Sequence, residues 1–386
     1  MAAWPGAPNK VGVPVVAVIK SSYIPGAFED FYPLGDTTMK KQLLAAAVTA
    51  ALPVSAMAAP AFYGKINLSV DRTTDYPESP LVFSADDLSD AWFVSSNSSR
   101  LGVRGEESLD FDNLSVIYQL EAGYDVDGDS SSTFSTRNSF LGLNTLAGKF
   151  FAGRFDSVVK DAEGWVDQFN ETVADMEIVF LSQNRNDNTL NWESPEMAGV
   201  VIRAQVAPGE GDEIGTAPDN EVKDGFADTW GVSATLDNDA LYAAVAFEST
   251  YDEIDVLGAN FGGDRDSLRG TLGVKASDSI RLGVIAESAT FDPIGGEEVD
   301  LMSYLVSGRF GLTERFAVKA QAGLLDSSDL ELDVQVVTLG ADYKLGDQTT
   351  AYGLVSASDS EFDPVGTAND LDESGTAFSV GMVHKF

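Results

Sequence analysis

Twelve basic residues recur at alternate positions within short segments of this chain: Lys65, Arg100, Arg104, Arg137, Arg185, Arg203, Arg269, Lys275, Arg281, Arg309, Arg315 and Lys319. The opposite parity of the same segments carries Val, Leu, Ile, Ala, Phe, Tyr and Gly. Charges spaced two apart fall on one face of a β-strand. Such a row can attract, orient or repel charged solutes, and it makes or breaks no bond by itself. Groups for covalent or metal chemistry are scarce. The 386 residues include no Cys, which excludes disulfide scaffolds, thiolate metal sites and Cys nucleophiles. The one His, His384, lies two residues from the end, so His-rich metal sites are excluded and a Ser–His–Asp arrangement is disfavoured. No cofactor and no catalytic residue is expected.

Two acidic stretches invite a calcium reading and fail it. DVDGDS at 125–130 puts Gly128 fourth and Thr136 twelfth, where an EF-hand needs Gly sixth and Glu twelfth. GANFGGDRD at 258–266 occurs once rather than as a repeat. Both read as solvated loops, a weak surface divalent site in the first being the alternative, and no metal site is expected.

The segments that carry the basic row alternate with period two. In FYGKINLSV, Ile66, Leu68 and Val70 oppose Lys65, Asn67 and Ser69; in SVIYQLEAGYDV, Val116, Tyr118 and Leu120 oppose Gln119 and Glu121. About sixteen such segments follow one another, and only 157–176 hints at a helical period. The connections alternate in length. Those at 146–149, 194–197, 237–239, 276–279, 312–314 and 344–347 are short. Those at 72–97, 156–183, 208–227, 251–264, 290–299 and 358–375 are long and acidic. A sandwich gives no reason for that asymmetry. An up-and-down barrel with one plain and one elaborated end has it by construction, and an even count of ten-residue segments fits a transmembrane barrel.

The fold class expected is therefore all-β: a transmembrane antiparallel up-and-down barrel of about 16 strands, apolar outside and wet within. Unpaired edges are untenable in hydrocarbon, so the last segment, FSVGMVHKF, must pair with the first, near 62–72, and Phe386 falls at an interface girdle. Trp92, Trp165, Trp192 and Trp230 read as interface, loop-packing or subunit-contact residues.

Residues 39–58, MKKQLLAAAVTAALPVSAMA, have a basic start, an apolar run and a small-x-small end at Ala56–Ala58. They read as a secretory signal peptide with Met39 as initiator. Residues 1–38 are Pro/Gly-rich, follow no period and read as an unstructured upstream extension of the reading frame. The remaining 59–386 form one barrel domain. The whole chain carries 24 Lys+Arg against 61 Asp+Glu, a formal charge of -37. Such a surface repels nucleic acid.

FYGKINLS at 62–69, SRLGVRGEE at 99–107, TRNSFLGL at 136–143, AGRFDSVVKDA at 152–162 and QNRNDNTLNWESPEMAG at 183–199, with the terminal Phe386, resemble in order and spacing the general diffusion porins of the Gram-negative outer membrane. The resemblance covers about 59–386. It implies sixteen strands, a homotrimer, and a third loop, about 156–183, folded into the lumen. It also implies a basic wall at the constriction, Lys65, Arg100, Arg137 and Arg185, facing acids on the inserted loop, with Glu163, Asp167, Glu171 and Asp175 as candidates. Arg154 ends the strand that launches the loop. The Pro-Glu-Phe-Gly-Gly-Asp element of enteric relatives is absent. Partners implied are outer-membrane lipid and lipopolysaccharide, through divalent cations, and an assembly machinery that reads Phe386.

The resulting expectation is a weakly cation-selective, water-filled channel for passive diffusion of ions and small hydrophilic solutes, in the outer membrane of a Gram-negative cell. The alternatives are a substrate-selective channel, for which no inward aromatic track is visible, a secreted acidic β-rich adhesin, and a barrel enzyme, which the lone His weakens. Amino-terminal sequencing of outer-membrane material should begin at Ala59. A start at Met1 or within 2–38 would refute both the signal and the exclusion of the extension.

Overall fold

Period-two alternation gives strands, and adjacent strands close on themselves. The computed structural model describes residues 59–77, 90–128, 132–214, 221–256, 259–362 and 371–386; the signal and extension readings fall outside them. All belong to the compact unit Met57–Phe386. Sixteen antiparallel strands form one sheet. They are β1 (Ala61–Thr74), β2 (Ala91–Ser96 and Arg100–Ser108), β3 (Ser115–Tyr124), β4 (Phe134–Thr136 and Ser139–Thr145), β5 (Gly148–Asp156), β6 (Arg185–Glu193), β7 (Val200–Ala207), β8 (Thr229–Asp237), β9 (Leu241–Val256), β10 (Ala259–Ser277), β11 (Ile280–Pro293), β12 (Val299–Gly311), β13 (Phe316–Ser327), β14 (Leu332–Lys344), β15 (Thr349–Phe362) and β16 (Leu371–Lys385).

Each strand pairs with its sequence neighbours, and β1 pairs with β16 from Lys65↔Lys385 to Thr74↔Thr376. The barrel is closed, as the terminal segment demanded. Gly64 N–H donates to the Phe386 carbonyl (2.9 Å) and Phe386 N–H to that of Gly64 (3.1 Å). The Phe386 ring lies over Gly64, where any Cβ would collide with it. His384 is an exposed neighbour: its Nδ1 is 2.9 Å from Thr349 Oγ1 and its ring stacks near Phe386.

One end of the barrel has the short turns expected. The other end differs in part. The connection expected at 251–264 is largely strand and that at 290–299 is strand over half its length: β9 and β10 stay paired to Val256↔Ala259, and β11 continues to Pro293. Polar, Gly-containing sequence reads as loop, but main-chain pairing tolerates it where no hydrocarbon must be faced. The stretch 259–266, read as a calcium-like loop, is the start of β10.

Outward positions are apolar and exposed, among them Ile66, Val70, Leu101, Leu120, Leu141, Leu282, Val284, Val306 and Val380. The inward face departs from the wet interior expected. Polar groups such as Lys65, Asn67, Ser69, Asp71 and Arg269 do point inward, but so do Tyr242, Ile285, Leu301, Leu305, Leu325, Val334 and Leu354, all buried. Something covers that half of the inner wall.

Deletion of Phe386 removes both main-chain hydrogen bonds to Gly64 and the ring that covers it. In cells, the yield and rate of assembly of the heat-resistant folded form should fall, while barrels that do close keep their melting behaviour. Full yield at the normal rate in pulse-chase would refute a role for this residue in closure.

Candidate functional site

The cover is the connection between β5 and β6, residues 157–184, which folds inside. It begins with a one-turn helix, α1 (Val158–Asp161), capped by Ser157, whose Oγ accepts from Lys160 N–H at 3.1 Å. It ends near a 3₁₀ turn, Met176–Ile178, capped by Asp175. These two turns are what the helical hint over 157–176 amounts to. Val158, Val159, Val166, Phe169, Met176, Val179 and Phe180 are buried against the inner wall.

Five wall glycines accept them. A Cβ on Gly231, Gly273, Gly283, Gly323 or Gly340 would come within 2.5–2.7 Å of Val158, Trp165, Val166, Val179 or Phe169 respectively. Polar wall groups satisfy the loop's main chain, as a buried carbonyl requires. Arg203 donates to the Asp156 carbonyl (2.7 Å), Arg269 to that of Val159 (3.0 Å), and Ser307 to that of Val166 (2.6 Å). Arg269 is itself held by Glu287 at 2.5 Å, both fully buried, and Arg203 pairs with Asp161.

The tip crosses to the opposite wall. Glu171 has φ +58°, unusual for a non-glycine residue, and its N–H donates to Asp175 Oδ2 (2.6 Å). Its carboxylate pairs with Lys65 and Arg100 and lies 4.0 Å from Arg137 Nη2. Its carbonyl accepts from Asn67 Nδ2 (2.9 Å). The structure thus gathers Lys65, Arg100 and Arg137 around one loop acid. Arg185 stands apart, paired with Asp156 (2.8 Å) and bonded to Asn138 (2.6 Å). Arg154 pairs with Asp187 (2.5 Å).

Two wall acids escaped the sequence reading. Glu121 accepts from Arg137 Nε (2.8 Å) and Tyr63 OH (2.8 Å) and lies 3.7 Å from Arg100 Nε. Asp156 holds Arg185. The signal for Glu121 was present: it shares the parity of Gln119 in β3, beside the strands of Arg100 and Arg137.

The candidate loop acids divide. Glu163, Glu171 and Asp175 line a cavity of about 580 Å³ together with Glu177, which the sequence reading did not single out. Asp167 lies beneath the loop, accepting from Phe169 N–H (2.8 Å), Met176 N–H (3.0 Å) and Gln321 Nε2 (3.0 Å). Glu163 accepts from Asn170 Nδ2 at 2.8 Å. Burial, reinforced by Asp167 and Asp175, pushes the Glu163 carboxyl up to about 8. Burial and Asp175 push Glu177 up to about 7. Glu177 is exposed to the lumen, where water offsets part of that rise, whereas Glu163 is half-buried. A second cavity of about 270 Å³ shares Arg100 and Glu171 with the first and is otherwise bordered by Lys65, Lys319, Asp342 and Lys385. Among the described residues no group of three or more His, Asp or Glu is placed to hold a metal ion.

A closed sixteen-stranded barrel with a loop bolted across a charged lumen is the geometry of an aqueous pore, and the family model described as Gram-negative porin matches residues 45–363. The chain belongs to the Gram-negative porin family. It is similar to the major outer membrane protein P.IB of Neisseria lactamica, 26% identical over 364 residues, covering 90% of this chain and all of that one. The P.IB of Neisseria sicca is 32% identical over 174 residues, 44% of this chain and 47% of that protein. Among solved structures, the fold is similar to the anion-selective porin from Comamonas acidovorans, with TM-score 0.64 and 20% identity over 85% of this chain and 99% of that one. It is also similar to OmpT of Vibrio cholerae in its trimer form, with TM-score 0.62 and 16% identity over 85% and 99%. This porin is thus a channel-forming barrel of the bacterial outer membrane, a family and fold of channels rather than enzymes.

Of the tryptophans, Trp165 packs in the porin's loop near Tyr242, Trp192 Nε1 donates to the Ala147 carbonyl (2.9 Å), and Trp92 and Trp230 face outward. Of DVDGDS, 125–128 are described and carry no metal-holding cluster.

Gly283→Leu should fill the socket of Val166 and push the loop off the wall. Overpacking of this kind costs about 1–3 kcal/mol. The expected result is a lower melting temperature and an altered, noisier single-channel conductance; a variant with unchanged conductance would show that the loop is not held by these sockets.

Proposed function

We propose that this porin is a water-filled, weakly cation-selective channel through which ions and small hydrophilic solutes diffuse passively. The observation that carries the reading is the partial neutralisation of the basic wall, three acids against four bases. Lys65, Arg100 and Arg137 are engaged by Glu171 and Glu121, and Arg185 by Asp156. The larger cavity is then bordered by five acids, Asp156, Glu163, Glu171, Asp175 and Glu177, against four bases, Arg100, Arg137, Lys160 and Arg185, so its net sign turns negative once Glu163 ionises, above about pH 8. Outside it, a chain of formal charge -37 adds an acidic vestibule. One sign of charge at a mouth concentrates counter-ions.

The constriction residues in this reading are Lys65, Arg100, Arg137 and Arg185 on the wall with Glu163, Glu171 and Asp175 on the loop, and Asp167 positions the loop from beneath. Export with removal of 39–58, a homotrimer, lipopolysaccharide contact and recognition of Phe386 by an assembly machinery belong to the same proposal. They rest on the family and on the described partner strands, with the trimer form of the Vibrio cholerae neighbour as support by analogy.

A second reading, weak anion preference, is favoured by one observation. The smaller cavity has Lys65, Arg100, Lys319 and Lys385 against Glu171 and Asp342. Salt and pH separate the two. At 0.01 M the Debye length is about 30 Å and the whole vestibule acts on the ion; at 1 M it is about 3 Å and only the constriction does. Cation preference should therefore be strongest at low salt. Raising pH through about 8 ionises Glu163, adds negative charge to the lumen and should increase cation preference; lowering pH should diminish it. Neutralising Arg100 and Arg137 together leaves Glu121 and Glu171 with fewer partners and should strengthen it further. Reversal potentials across a planar bilayer under a salt gradient measure all three. Anion preference at low salt, or indifference to the double substitution, would reject the charge arrangement.

A further inference from the structure

Asp71 lies on β1 facing inward, and none of its surface reaches solvent. Its Oδ2 accepts from Ser69 Oγ (2.7 Å) and Ser95 Oγ (2.5 Å). Among the described residues its Oδ1 has no hydrogen-bond partner. Directly across the closing seam, the cross-strand neighbour Ser379 on β16 is also fully buried, and its hydroxyl makes no well-formed hydrogen bond. The basic residue next to Asp71 in sequence, Arg72, takes the opposite parity and pairs with Asp90 at 3.4 Å.

A buried carboxylate without a counter-charge is strongly disfavoured. Two hydroxyl donors offset part of that, and only on one oxygen. A cation bound at Oδ1 supplies the missing positive charge. The ligand set is one carboxylate with serine hydroxyls. A calcium ion takes six to eight oxygens and is usually held by several carboxylates, so a single carboxylate is matched by a single charge.

A cavity adjoins one member of this cluster. Ser95, which bonds Asp71, also borders a cavity of about 260 Å³ whose walls include Asn97, Asp175 and Glu177. Those two loop carboxylates draw cations from the lumen to the edge of the site.

We propose that Asp71, with Ser379 and the neighbouring serine hydroxyls, forms a binding site for a monovalent alkali cation on the inner wall, at the β1–β16 seam and behind the third loop. The bound ion ties the first strand to the last and fills a charge deficit that no side chain meets. The site is separate from the Glu171 constriction and stands whether the open pore prefers cations or anions.

Thallium(I), an alkali-ion mimic with strong anomalous scattering, is the probe. Crystals of the full refolded barrel grown in thallium(I) acetate should show an anomalous peak within coordination distance of Asp71 Oδ1, lost in Asp71→Asn and weakened in Ser379→Ala. An ordered water there instead, no peak, or a peak that survives Asp71→Asn would overturn the proposal. Melting gives a second readout that needs no crystal. Wild type should melt higher in sodium chloride than in N-methyl-D-glucamine chloride of equal ionic strength, and Ser379→Ala should shrink that difference. An equal difference in both proteins would also overturn it.

Discussion

The inward docking of residues 157–184 is the constraint on which the rest of this porin depends. A barrel facing hydrocarbon has its outer surface fixed as apolar, which leaves the inner parity to serve the lumen. Here that parity includes Ile285, Leu301, Leu305, Leu325 and Val334, side chains that lumen water would otherwise wet. The loop removes them from water and removes its own Val158, Val166, Phe169 and Phe180 at the same time. Apolar burial is non-directional and would not alone fix where the loop lies. The glycine sockets supply the shape, and the Arg203, Arg269 and Ser307 donors supply the direction.

That docking explains the electrostatics. Two rows of opposite charge facing across an open gap would act over a distance comparable to the Debye length, about 8–10 Å at physiological salt. In this porin the tip closes the gap locally, and Glu171 touches the wall it faces. Glu121 and Asp156 compensate arginines from within the wall at 2.8 Å. Most of the field is therefore spent in contacts. What is left for permeating ions is the remainder: Glu177 and, once ionised, Glu163 on the loop side, and Lys385 on the wall, Lys319 being paired with Asp342 at 3.1 Å. Under the proposed function, small imbalances among these, rather than the number of arginines, set any ion preference.

Strand count, closure by FSVGMVHKF and the third loop as the insertion were legible because they follow from period two, loop asymmetry and the prohibition on open edges. Lys65, Arg100 and Arg137 were legible as inward because parity decides it. Their engagement was not. Glu121 is sixteen residues from Arg137 and twenty-one from Arg100, and meets them only through strand register. Asp167 and Glu171 look alike in sequence, two acids of one loop. One becomes a main-chain cap under the loop and the other its tip, because only Glu171 takes the left-handed turn that swings its carboxylate outward. The glycine sockets were invisible for another reason. In strand sequence a glycine reads as a weak spot or bulge, and its use as a receptor for Val166 or Phe169 appears only when the loop lies on it.

The loop also links the two halves of the chain. Its body rests on β7 to β14, through Arg203, Gly231, Gly283, Gln321 and Gly340. Its tip rests on β1 and β2, through Lys65, Asn67 and Arg100. In an open sheet those surfaces are at opposite edges, and no loop of this length could engage both in one geometry. Both become available only when β16 zips onto β1. Seam closure and anchorage of the loop tip are then coupled, and β1 serves both. Its inward residues run from Lys65 and Asn67, which hold the loop tip, to Ser69 and Asp71, which sit on the seam itself. A barrel that failed to close would not be a wider pore. It would lose the tip's anchorage and the ordered lumen together.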